Sequence, residues 1–143
     1  MAFNNAAQVM QMQARIERQI AASLSAVATL ARNHYVESFR NQGFTDEWLN
    51  KWTPRKARDR GRQSRGSRAI LVRSGSLRNS IKARVVGYTI IISSDLPYAN
   101  IHNDGGQGAR RMPKRQFVGY SAVLNSKIKG MIDRRITRTF NGR

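Results

Sequence analysis

The chain has no cysteine, and among its 143 residues only 8 are acidic, 2 are histidine and 3 are proline. The first absence removes a disulfide framework, a thiolate nucleophile and zinc–thiolate sites together, and it fits a reducing compartment. The scarcity of acids and histidines leaves little for catalysis, which needs convergent acids, bases, nucleophiles or metal ligands. Glu17, Glu37, Asp46, Glu47, Asp59, Asp95, Asp104 and Asp133 do not cluster at metal-ligand spacing, which makes a nuclease the weakest of the functional readings. His34 and His102 are far apart, and although Asp104 follows His102 closely, no second His, Cys or Glu lies beside them. The run GGQGARR at 105–111 lacks the Gly-Lys-Ser/Thr ending of a phosphate-binding loop, and Ser74-Gly75-Ser76 lacks the spacing of a nucleophile elbow. No apolar run approaches about 18 residues, and the N-terminus has no basic segment leading into an apolar one, so neither membrane spanning nor export is indicated. The expectation is a non-enzymatic protein without metal or cofactor.

What is abundant is positive charge. Lys and Arg number 26, for a formal net charge of +18. Such a surface attracts polyanions, so nucleic acid is one expected partner, and a neutralising partner protein is the other. Arginine outnumbers lysine, which favours pairing with phosphate or carboxylate over plain solubility.

With 40% hydrophobic residues, the length suits a single domain over 1–143 with a moderate core. Over 5–41, Met12, Ile16, Ile20, Leu24, Val27, Ala31, Tyr35 and Phe39 recur at three- and four-residue spacing, predicting one long helix that stops at Gly43. Such a helix is about 55 Å long, against roughly 40 Å for a compact domain of this size. It therefore either breaks near Ser23, Ser25 and Thr29 or packs its N-terminal half on another subunit, and the apolar stripe favours the second. Residues 44–52 read as a short helix with Thr45 as N-cap and Trp48, Leu49 and Trp52 on one face. Residues 53–69 read as a mobile basic loop, where Arg55, Lys56, Arg58, Arg60, Arg62, Arg65 and Arg68 are candidate contacts to a DNA backbone, without the aromatic residues that base stacking needs. From 70 to 119 the pattern is that of a sheet with connecting loops: Ile70, Leu71 and Val72 as a short strand or lead-in, a turn at Ser74-Gly75, then strands over 77–86 and 88–94 joined by a hairpin at Gly87, the sheet packing on the long helix. Residues 121–140 read as a closing helix, with Ser121 as N-cap and Leu124, Ile128, Ile132 and Ile136 four apart. The fold class is α+β: a long N-terminal helix on a small antiparallel β-sheet, an Arg-rich loop and a C-terminal helix.

Residues 98–119, YANIHNDGGQGARRMPKRQFVG, carry turn and glycine chemistry in place of catalytic groups. Pro97 favours a helix start, Gly105 and Gly106 permit positive φ, and Pro113 biases Met112 towards an extended conformation.

Three segments in fixed order, LVRSGSLRNSI at 71–81, YANIHNDGG at 98–106 and MPKRQFVGYS at 112–121, together resemble the tailed-phage virion morphogenesis family, the tail completion proteins of the phage Mu and P2 type. The matching positions are Gly75, Leu77, Arg78, Ser80 and Ile81, then Tyr98, Ala99, Ile101, His102, Gly105 and Gly106, then Pro113, Arg115, Phe117 and Gly119, with Trp52 at the entry to the basic loop. Asn103 stands where the family often has Gln, which keeps an amide. Lys114 and Gln116 depart from a Pro-Ala-Arg-Pro-Phe pattern. The resemblance implies a structural protein of the phage neck or tail, made in the host bacterial cytoplasm and incorporated into the virion. It implies a homo-oligomeric ring, sixfold with twelvefold as the alternative, in contact with other neck, connector or tail proteins and with DNA in the channel. It assigns these positions to fold and interface, with no enzymatic step. The competing reading is a stand-alone nucleic-acid-binding protein without sequence specificity.

Overall fold

A computed structural model describes residues 6–55, 69–106 and 111–141. Helix α1, Ala6–Asn41, runs 36 residues without a break. The residues expected to weaken it do not, because Thr29 Oγ1 donates to the Ser25 carbonyl one turn back at 3.1 Å and so keeps its hydroxyl inside the helical pattern. The two halves of α1 have different surroundings. Val27, Ala28, Ala31, His34, Ser38 and Phe39 are buried, whereas every residue from Ala6 to Ala22 is exposed.

The helix ends at Asn41, two residues before Gly43. Gln42 takes the left-handed conformation, with φ of 54°, and its side-chain Nε2 donates to the carbonyls of Phe39 and Ile70. Gly43 is required for another reason: a Cβ there would lie 2.4 Å from the Asn50 carbonyl oxygen across a hairpin.

That hairpin replaces the short helix expected at 44–52. Strands β1, Gly43–Thr45, and β2, Leu49–Lys51, pair antiparallel, with Phe44 opposite Asn50. Asp46, which suits the first turn of a local helix, instead serves a distant one: its carboxylate accepts the Ala122 amide at 2.8 Å and its carbonyl accepts the Val123 amide. The aromatic pair consequently divides. Trp52 is buried while Trp48 is 68% exposed.

Residues 70–72, read as a short strand or lead-in, form no strand: Ile70 and Leu71 lie in a turn, with Leu71 at φ of 59°. The strand expected from Leu77 begins later. After Gly75, at φ of 71°, the short helix α2 covers Ser76–Ser80, and Leu77 and Ile81, four residues apart, are both buried. Strands β3, Lys82–Val86, and β4, Thr89–Ser93, then form a hairpin about Gly87, at φ of 58°, with Ala83 opposite Ile92. It packs on α1, where Arg32 Nε donates to the Ile81 carbonyl at 2.9 Å.

Helix α3, Ala99–Asp104, follows Pro97, and α4, Ala122–Asn141, closes the described chain. Ser121 caps α4 as expected, its Oγ accepting the Leu124 amide at 3.1 Å. The architecture is α+β, with two separate two-stranded antiparallel hairpins among the described residues. Phe39, Trp52, Leu77, Ile81, Ala99 and Phe117 form the core. Phe39 stands at its centre, 5.6 Å edge-on from Trp52 and 5.2 Å from Phe117. Such aromatic contacts stabilise by about 0.5–1.5 kcal/mol beyond the area they bury.

Candidate interaction surfaces

The segment from Tyr98 onward is built by backbone hydrogen bonds that turn the chain back on α3. Gly105 donates to the Ile101 carbonyl at φ of 87°, Gly106 N donates to the Met112 carbonyl at 3.0 Å, and Arg115 N donates to the His102 carbonyl at 2.8 Å. A Cβ on Gly105 would meet the Met112 oxygen and Lys114 nitrogen at 3.2 Å, so both its conformation and its space call for glycine. Asn103 then fixes the returning strand of chain, its Oδ1 accepting the amides of Phe117 and Val118, each at 3.0 Å. Trp52 and Tyr35 hold the far end through the carbonyls of Gln116 and Gly119.

His102 lies inside this fold. Its Nδ1 is buried without a hydrogen-bond partner among the described residues, its ring stands edge-on to Tyr98 at 5.8 Å, and Arg115 is nearby. Burial, and then the Arg115 charge, lower its pKa from the ordinary imidazole value, which favours a neutral ring. Arg115 is itself buried, with Nη2 donating to the Thr53 carbonyl at 3.4 Å. Among the described residues no group of three His, Cys, Asp or Glu is placed to hold a metal ion.

The structure thus brings Trp52, Leu77, Ile81, Ala99, His102, Arg115 and Phe117 into or against one core. Gly75 is buried at the start of α2, and Ser80 Oγ links the Leu77 carbonyl to Ser94 Oγ. Gly106 and Pro113 are half-buried along the returning chain, and Gly119 is placed by Tyr35. Tyr98 and Ile101 are exposed, and Arg78 turns to a surface cleft. Of the basic loop, Arg55 is described and exposed, while Lys56, Arg58, Arg60, Arg62, Arg65 and Arg68 lie outside the described residues.

Two concave surfaces lie along α1. One is an apolar groove of about 270 Å³ between α1 and α4, lined by Ile16, Ile20, Leu24, Val27, Ile132 and Ile136 with a few polar neighbours. It runs into the uncovered stripe of Val9, Met12, Ile16 and Ile20. The other, of about 410 Å³, lies between α1, α2 and α4 and includes Arg40 and Lys127. No helix among the described residues is long and apolar enough to cross a membrane.

An exposed apolar stripe on α1, a backbone-shaped central segment and a net charge of +18 are the features these surfaces present. Residues 2–137 match the phage virion morphogenesis family, and the chain belongs to that family. Its role is accordingly structural, in phage morphogenesis, and it is virion-associated. No curated protein and no solved structure matches the chain.

Proposed function

We propose that this protein completes the phage tail or joins it to the head, as one subunit of a sixfold ring around the DNA channel in the neck or tail. Its work is done by shape and assembly, and no bond is made or broken. The observation that carries the reading is the free half of α1. At 1.5 Å per residue α1 is about 54 Å long, and Val9, Met12, Ile16 and Ile20 expose one apolar stripe beyond the core. A neighbouring copy that covers this stripe removes apolar surface from water at about 25 cal/mol per Å². Closed rings need such a contact repeated between subunits.

The net charge of +18 supports a channel role, since a basic surface meets DNA phosphates without reading sequence. Reconstruction of the purified virion tests the proposal: density for this chain as a ring at the neck or tail end is expected, and virions that lack it overturn the reading. A chain that is absent from virions yet binds random duplex DNA, with a salt slope of about 0.9 per phosphate neutralised, is instead the stand-alone nucleic-acid binder.

A further inference from the structure

The cleft between α1, α2 and α4 gathers charge of one sign. Arg40 from α1, Arg78 from α2 and Lys127 from α4 line it together with Leu30 and Val36, and Glu37 is the one carboxylate on its wall. None of the three cations makes an ion pair or side-chain hydrogen bond among the described residues, where Lys82–Asp95 is the sole ion pair. Three cations from three elements therefore share one concave site with a single carboxylate to offset them. Such a site focuses positive potential, and arginine's planar fork is shaped for a bidentate carboxylate.

We propose that this cleft receives an acidic side chain, Asp or Glu, from a segment of a partner protein. Its size and lining select that ligand over DNA. A cleft of about 410 Å³ admits a side chain with its neighbours, whereas a duplex presents a wide convex row of phosphates. Leu30 and Val36 offer apolar contact to the stem of a glutamate or a flanking apolar residue, which a sugar-phosphate chain does not match. A second copy of this chain is a poor donor. It has only 8 acids, of which Asp46 caps α4 and Asp95 pairs with Lys82.

His34 provides an internal reporter. Its Nε2 donates to the Thr45 carbonyl at 3.1 Å while the ring lines the cleft. Burial lowers its pKa most, the Thr45 hydrogen bond opposes this, Lys127 lowers it further and Glu37 raises it. A carboxylate entering beside Arg40, Arg78 and Lys127 raises it.

The test uses the purified full-length protein and a fluorescent peptide of alternating Glu and Leu. The triple variant Arg40→Gln, Arg78→Gln, Lys127→Gln is expected to weaken peptide binding about tenfold or more, while Lys129→Gln, Arg134→Gln, Arg138→Gln, of equal net charge, changes it less than about twofold. In the unaltered protein, NMR titration of His34 is expected to shift upward on peptide addition, a readout that needs no variant to fold. Equal losses in the two triple variants, or a His34 titration indifferent to bound peptide, overturn the proposal. So does a cleft variant that selectively loses labelled duplex DNA, or one whose self-association falls without peptide, since the occupant is then DNA or a second copy.

Discussion

The indole Nε1 of Trp52 donates to the Gln116 carbonyl at 2.7 Å, joining the end of the first hairpin to the segment that leads into α4, 64 positions away. The ring is buried against Phe39, so one side chain supplies both core volume and a polar contact between the two segments, beside that of Arg115 Nη2 to the Thr53 carbonyl. Trp52→Phe keeps most of the volume and removes the donor. It is expected to destabilise the protein by about 1–3 kcal/mol, the usual cost of orphaning a part-buried acceptor. Trp52→Ala also opens a cavity and is expected to cost about 3–5 kcal/mol. Urea unfolding measures both, and equal effects of the two substitutions deny the hydrogen bond its role.

Asn103 performs the corresponding task at the start of that segment. Asn103→Leu leaves the Phe117 and Val118 amides without their acceptor and is expected to cost about 2 kcal/mol or more. Asn103→Asp keeps the accepting oxygen, so most of the stability is retained. If the two substitutions cost the same in urea unfolding, the amide oxygen is not what holds the turn.

Gly43 is a second backbone prediction. Any side chain there meets the Asn50 carbonyl at 2.4 Å, and this neighbour is backbone that cannot swing aside. Gly43→Ala is expected to cost about 1–3 kcal/mol, as overpacking does, and to weaken the hairpin that positions Asp46 on α4. A thermal midpoint within error of the parent protein contradicts this.

How far these features were legible in the sequence follows from how many residues vote for each. The apolar period of α1 persists over 36 residues and that of α4 over 20, so local pattern and tertiary packing agree. Gly87 and Ser121 are single positions with one strong local preference, and both act as expected. Residues 43–51 and 76–80 are too short for periodicity to decide. Asp46 is recruited by α4, and the Leu77–Ile81 spacing fits a helical turn as well as the start of a strand. The central motif residues were legible as a group only through resemblance. The cleft of Arg40, Arg78 and Lys127 was not legible at all, because packing alone brings positions so distant together.

The two histidines predict a pH dependence with a definite sign. His34 and His102 both have pKa values lowered by folding, chiefly through burial. The unfolded chain, with pKa near 6.5, therefore binds more protons in this range. Their contribution to stability is fully present above about pH 6.5 and is lost as pH falls through that value towards the lower folded-state values. Urea midpoints should fall between about pH 7.5 and 5.5, and the double variant His34→Gln, His102→Gln should flatten that decline. An unchanged slope in the double variant assigns the pH dependence to other groups.

The free half of α1 yields the prediction that bears most directly on assembly. Ile16 and Ile20 are partly exposed, and Met12 and Val9 more so, so their apolar surface contributes little to the isolated fold. Ile16→Asp places a charge on the stripe at the point where it enters the α1–α4 groove. In the isolated chain this is expected to change stability by about 1 kcal/mol or less, since the site is not fully desolvated. In the proposed ring the same carboxylate would be buried against an apolar neighbour without a partner, a change that costs several kcal/mol per contact and recurs at every subunit boundary. The expected result is a normally folded chain, by circular dichroism and urea unfolding, that fails to enter virions. Solution mass measured by light scattering tracks the same loss where the parent protein self-associates. A variant that folds and is incorporated like the parent shows that the stripe is not the subunit contact. The overhang of α1 then requires a different occupant.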